Sequence, residues 1–167
     1  MYKVLIRPVL THASETWTVS KVNERGLSVF ERKVLRCIFG AKQENGTWRK
    51  RYSYELYETF NEPNIVNYIK LKRLAWAGHL VRVNNVRTLK KVLNNKPDGV
   101  RSVGRPKLRW EGGVDQDMRI LGVKNWKKVA FNRDEWTKLL KKARAHQEAV
   151  EPMMMMMMMM IYIYKAR

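Results

Sequence analysis

The chain is poor in the residues that build reactive centres. It has one cysteine, Cys37, and three histidines far apart in sequence. A disulfide framework and a cysteine-based zinc site are therefore excluded within one chain. The single thiol fits a reducing, intracellular setting. Carboxylates are also scarce, 15 Asp and Glu against 34 Lys and Arg. The only close acidic group is Glu111, Asp115 and Asp117. Glu111 and Asp115 are four apart and share a helical face, whereas Asp115 and Asp117 diverge, so the group reads as a solvated helix face and no metal ligands are assigned. No GxxxxGK[ST] loop, nucleophile-elbow serine or Asp-Asp dipeptide occurs. No catalytic residue, cofactor or small-molecule substrate is expected. Long apolar runs are missing too. The stretch from Met153 to Tyr164 is 12 residues, short of the roughly 20 that span a bilayer. The N-terminus, with Arg7 and Pro8 behind a short apolar run, does not resemble a secretory signal, and it starts as if inside something longer.

What is present is positive charge, +19 formally. Such a balance calls for a polyanion, nucleic acid first and an anionic membrane surface second. The excess is concentrated. Residues 61–110 hold 12 basic and 2 acidic residues, while residues 111–152 hold 9 and 7. The apolar fraction of 45 % gives material for a core.

Helical periodicity dominates. Residues 2–13 read as a helix kinked or ended by Pro8, with Val4, Leu5 and Val9 as its apolar stripe. Ser20 is placed to cap the next helix, in which Leu27, Phe30, Val34 and Ile38 recur at helical spacing and Cys37 reads as a core thiol. Gly40 is a natural stop. Asn45-Gly46 is a turn pair, without a convincing strand pair around it. Helices are expected at 53–60 and 64–82, the second with residues 65, 69, 76 and 80 on one side and His79 as a buried, hydrogen-bonded residue. A short helical turn is expected at 86–93. "NNKPDGVRSVGRPK" is a basic loop. Helical patterning resumes at "KLRWEGGVDQDMRILG", weakened by Gly112-Gly113, and ends with a helix over 132–146 capped by Asn132 or Asp134. The fold class is all-α, a compact multi-helix domain of short helices with a basic loop and a disordered Met-rich tail.

Aromatic residues are interleaved with the basic ones. "TWRKRYSY" sets Trp48, Arg49, Lys50, Arg51 and Tyr52 side by side, where cations suit phosphates and ring faces suit unpaired bases. Trp76, Trp126 and Trp136 have apolar partners at helical spacing and read as core. Trp48 and Trp110, next to basic residues, are the base-stacking candidates. The candidate phosphate contacts are Arg49, Lys50, Arg51, Lys70, Lys72, Arg73, Arg82, Lys90, Lys91, Arg101, Arg105, Lys107 and Arg109. Within them, Gly104-Arg105-Pro106 is similar to an AT-hook core, an extended tripeptide suited to a narrow minor groove. If about six of these groups contact phosphates, affinity falls roughly 10³-fold from low to moderate salt.

Several phrases taken together resemble a known family. "YKVLIRPVLTHASETWTVSK", "LSVFERKVLRCIFG", "RLAWAGHLVRV", "VGRPKLRWEGGVDQDMRILGVKNWKKVAFNRDEW" and "LLKKARAH" look like the end of a non-LTR retrotransposon polyprotein, an endonuclease–reverse transcriptase of the RTE type found in insect genomes. The likeness is collinear from Tyr2 to His146. It implies descent from an RNA-directed DNA polymerase, with the palm aspartates and the endonuclease site lying upstream of the matched region. It further implies a non-catalytic segment that positions template RNA or target DNA, a nuclear location, and the rest of the polyprotein as partner. Residues 1–20 would be the end of the thumb-like segment, 21–146 a helical basic region, and 147–167 a low-complexity tail. His12 and Ala13 stand where Tyr-Gly is usual, and Gly112 where an Asp is usual, which leaves room for a decaying, non-functional copy. Membrane-surface binding is the remaining alternative. Eight consecutive methionines, Met153 to Met160, require eight tandem ATG codons. The tail therefore reads as a translated DNA repeat, such as those that end similar elements, and no membrane contact is assigned to it.

Overall fold

The computed structural model describes residues 1–94, 104 and 108–145. The chain is mostly helical: α1 (Arg7–Leu10), α2 (Lys21–Phe39), α3 (Ser53–Phe60), α4 (Ile65–Arg82), α5 (Thr88–Asn94), α6 (Trp110–Ile120), α7 (Trp126–Phe131) and a final helix α8 over 133–145. Among the described residues one two-stranded antiparallel hairpin interrupts the helices, β1 (Lys42–Glu44) with β2 (Thr47–Arg49). The all-α reading therefore holds, with the hairpin as a correction. Its strands are three residues each and nearly all exposed, so no alternation betrayed them. Asn45 and Gly46 both have positive φ, 51° and 78°, as a two-residue hairpin turn requires. The Met-rich tail and most of the basic loop lie outside the described residues.

Two compact units partition the chain. Unit 1 takes residues 1–12 and 21–68, together with the last described residues from 142; unit 2 takes 13–20 and 69–141. Residues 1–20 are thus divided between the units.

Unit 1 has a small apolar cluster of Tyr2, Leu35, Leu56 and Phe60, flanked by Ile6, Val34, Phe39 and Tyr57. Its polar interior is more unusual. The segment Tyr2–Ile6 winds as a π turn before α1, and Pro8 falls in the first turn of α1, where its missing N–H costs nothing. The wider π turn rotates the segment so that Tyr2, Arg7 and Thr11 point inward, while Val4, Leu5 and Val9 are exposed. The expected apolar stripe is reversed. In α2 the buried positions are Glu31 and Leu35, and Phe30 and Ile38 lie outward. Cys37, read as a core thiol, is exposed for the same reason.

Glu31 is 0 % exposed. Its Oε1 accepts the Tyr2 hydroxyl at 2.9 Å, and its Oε2 accepts the Tyr57 hydroxyl at 3.0 Å and the Ile65 N–H at 2.9 Å. A buried carboxylate is tolerable only when its lone pairs are satisfied. Burial, followed by the neighbouring Glu31 charge, raises the Tyr2 pKa well above its ordinary value. Arg7 is buried as well. Its guanidinium lies 3.8 Å from the Tyr68 ring centroid and donates to Glu62 Oε2 at 3.2 Å and Pro63 O at 3.1 Å. Lys3 reaches Glu62 Oε1 at 2.9 Å. These contacts fix the corner between α3 and α4, where Asn61 is left-handed at φ 50°.

Unit 2 buries Ile69, Leu74, Ala77, Leu80, Val81, Val114, Met118, Trp126, Ala130 and Trp136. Trp126 and Trp136 meet with centroids 6.1 Å apart. Gly78 is what admits Trp136, because a Cβ there would stand 2.1 Å from the indole Nε1. Gly113 serves Arg73 in the same way, with a Cβ reaching 2.9 Å from Nη1, whereas Gly112 faces open space. One member of the glycine pair thus has a packing reason. Asn132 caps α8, its Oδ1 accepting the Asp134 and Glu135 N–H groups at 3.0 and 3.3 Å.

Candidate nucleic-acid interface

In unit 1 the basic–aromatic run "TWRKRYSY" folds as β2 and the entry to α3. Glu55, in the first turn of α3, organises it. Arg49 grips Glu55 with both terminal nitrogens, Nη1 to Oε2 at 2.9 Å and Nη2 to Oε1 at 2.7 Å. Lys42 adds 3.0 Å to Oε1 and the Tyr52 N–H adds 2.8 Å to Oε2. The Arg49 hydrogen bonds hold the Glu55 carboxyl far below the usual carboxylate range, against its own burial. Glu55 in turn, with Glu44, raises the Arg49 pKa. Arg49 is thereby committed to the protein, but it also lies 4.5 Å from the Tyr52 ring centroid. Tyr52 stacks in turn on Tyr54, 5.9 Å between centroids and 11° between planes.

This clamp turns Trp48 and Tyr52 outward, 68 % and 56 % exposed. Lys50 is exposed between them. Arg51 is half-buried and its carbonyl accepts Arg36 Nε at 3.3 Å. The hairpin and the turn after it thus set the Trp48 ring, the Lys50 cation and the exposed part of the Tyr52 ring on an ion-paired base. Trp110, the second stacking candidate, is half-buried and donates its indole N–H to Glu15 O at 2.7 Å. Its polar edge ties residues 13–20 into unit 2.

The other candidates of unit 2 are spread along α4, α5 and α6. Lys70 and Lys72 are half-buried on α4 and engaged with neighbouring groups. Arg73 is buried and ion-paired with Asp117, with Gly113 O beside it at 3.5 Å. Arg82 donates from Nη1 to Ala130 O at 2.6 Å. Lys90 donates to Leu80 O and Val81 O at 3.3 and 2.7 Å, closing the C-terminal end of α4. Lys91 and Arg109 are exposed. Arg101, Arg105 and Lys107 lie outside the described residues, and with them most of the Gly-Arg-Pro stretch. Gly104 is exposed with φ 85°.

The acidic group that sequence spacing singled out is separated by its partners. Glu111 pairs with Lys127, Asp115 accepts the Trp126 indole N–H at 2.7 Å, and Asp117 pairs with Arg73. Among the described residues no cluster of three His, Cys, Asp or Glu is placed to hold a metal ion, and no helix is long and apolar enough to cross a membrane.

One feature of unit 2 does not follow from helical periodicity. At the end of α4 a cavity of about 280 Å³ is lined by His79, Arg82, Val83, Asn84 and Arg87. His79, expected to be buried, is exposed and stacks on Trp76 at 5.1 Å and 28°. The spacing of Trp76, His79 and Arg82, three apart each time, is the signal that would have found it.

The sequence is similar to a putative uncharacterized transposon-derived protein of Caenorhabditis elegans, 22 % identical over 148 residues. The alignment takes in 85 % of this chain and 53 % of the worm protein, so the chain spans about half the length of that relative. No protein-family profile and no solved structure matches it. The likeness points to a transposon origin.

Proposed function

We propose that the chain is a non-catalytic, nucleic-acid-binding segment of a retrotransposon reverse transcriptase, which holds template RNA or target DNA for the rest of the polyprotein. The observation that carries this reading is the outward pair Trp48 and Tyr52, set around Lys50 on the Arg49–Glu55 clamp. Solvent-facing aromatic rings among cations are costly to keep in water and well suited to unpaired bases. The net charge of +19 and the transposon-derived relative support the same reading. The segment acts by stacking and phosphate contact, with little sequence selectivity.

Mobility-shift titrations of single-stranded RNA, single-stranded DNA and duplex across a salt series test it. Binding is expected at low salt and is expected to weaken roughly 10³-fold by moderate salt. Trp48→Ala should cost single-strand binding about 1–3 kcal/mol, with unchanged helical content by circular dichroism. Absence of binding at low salt sinks the reading.

A further inference from the structure

The cavity at the end of α4 has a chemistry separate from that of the hairpin. We infer that the pocket formed by His79, Arg82, Val83, Asn84 and Arg87 seats one phosphate of a nucleic-acid strand, with the adjoining nucleotide against its apolar wall. This inference rests on the nucleic-acid reading and names a second contact point for it.

Among the described residues no carboxylate lines the cavity. Among the described residues Arg82 spends one of its five N–H donors, on Ala130 O. Arg87 is exposed and adds a second guanidinium. Asn84 accepts the Val86 N–H at 3.2 Å through Oδ1, so its NH2 is the group left for a ligand. His79 offers a ring N–H. The polar side chains around the cavity are thus donors, two of them permanently cationic, which is the complement of a phosphate.

A helix C-terminus normally disfavours an anion because its free carbonyls carry partial negative charge. Here Lys90 places its ammonium on the carbonyls of Leu80 and Val81 and offsets that field. The rest of the lining is Val83 and the His79 ring, which stacks on Trp76 behind it. Inorganic phosphate has no use for such a wall, but a nucleotide has a flat apolar face to place there. The volume of about 280 Å³ lies near the lower end of small-ligand sites, about 300 Å³. That is room for one nucleotide unit.

The test uses the intact chain, titrated with oligodeoxythymidylate, inorganic phosphate and phosphatidylserine vesicles while the His79 ring resonances are followed by NMR. Affinity for the oligonucleotide is measured across a salt series for the parent chain, Arg87→Ala and Lys50→Ala. The expected result is a His79 shift with oligonucleotide, weak competition by inorganic phosphate, and a ~3–10-fold affinity loss in Arg87→Ala, whose salt slope falls by about 0.7. Lys50→Ala should weaken binding without suppressing the His79 shift. If Arg87→Ala binds with unchanged affinity and slope, the pocket assignment fails and the nucleic-acid reading stands. A parent chain that binds no oligonucleotide overturns both. A His79 shift with vesicles and none with oligonucleotide overturns the inference in favour of a lipid surface.

Discussion

At the centre of unit 1 stands a carboxylate with three donors around it; at the centre of unit 2 stand two tryptophans ring to ring. Unit 1 buries Arg7, Thr11, Glu31 and Glu55, and nearly every one has named hydrogen-bond partners. Among its described residues unit 2 confines buried charge to the Arg73–Asp117 pair and otherwise fits shapes, with Gly78 giving way to the Trp136 indole. Directional bonds specify one interior, and volume specifies the other. The two respond to different insults, because a hydrogen-bonded interior fails when a partner is removed and a close-packed one fails when atoms are added.

The sharpest way to break this contrast is Glu31→Leu. It leaves the Tyr2 and Tyr57 hydroxyls and the Ile65 N–H without their acceptor. At about 1–3 kcal/mol for each buried orphan, partly relieved at half-buried Tyr57, unit 1 should lose about 3–4 kcal/mol. Hydrogen exchange of the α2 and α3 amides reads this loss, and an unchanged exchange rate there disproves the directional account. Gly78→Ala is the reciprocal probe. Overpacking against Trp136 should cost unit 2 about 2 kcal/mol, after the helix-propensity gain of alanine. Five of the six tryptophans belong to unit 2, so the denaturation midpoint by tryptophan fluorescence reports it.

The third contrast is in acid. Hydrogen bonds from Arg49 and from Lys3, respectively, hold the Glu55 and Glu62 carboxyls below their ordinary value of 4.5. A depressed folded-state value contributes stability above about pH 4.5 that is lost as pH falls below it. Solvent screening keeps the exposed Glu62 share small. Unit 1 should therefore open first in an acid titration followed by amide exchange, and simultaneous opening of both units would count against the assignment. At the alkaline end the raised Tyr2 value acts oppositely, with its contribution complete below pH 10 and lost as pH climbs.

Helices α3 and α4 were legible because Asn61 to Pro63 punctuates them and Ile65, Ile69 and Leu80 recur on one side. The Asn45-Gly46 turn was legible for its left-handed residues. The strands around it were not, since three exposed residues carry no period. The inward face of α2 was misread because a periodicity argument assigns every glutamate to solvent, and Glu31 has donors that only the tertiary fold supplies. The same blindness hid the outward turn of Val4, Leu5 and Val9, which follows from a π turn that no composition rule announces. Of the candidate contacts, Lys50, Lys91 and Arg109 stand exposed as a surface reading requires. Arg49 and Arg73 instead found carboxylates, and a charge count cannot distinguish a phosphate contact from an internal ion pair.

Glu31 also sets how the chain tolerates being cut. It gathers donors from 29 residues before it and from 26 and 34 residues after it. The exposed Asn45-Gly46 turn lies between Glu31 and the two later donors. A single proteolytic nick at that turn severs the backbone but none of these bonds. The two pieces should stay together as a noncovalent pair, re-form when mixed, and separate far more readily when the carboxylate is lost.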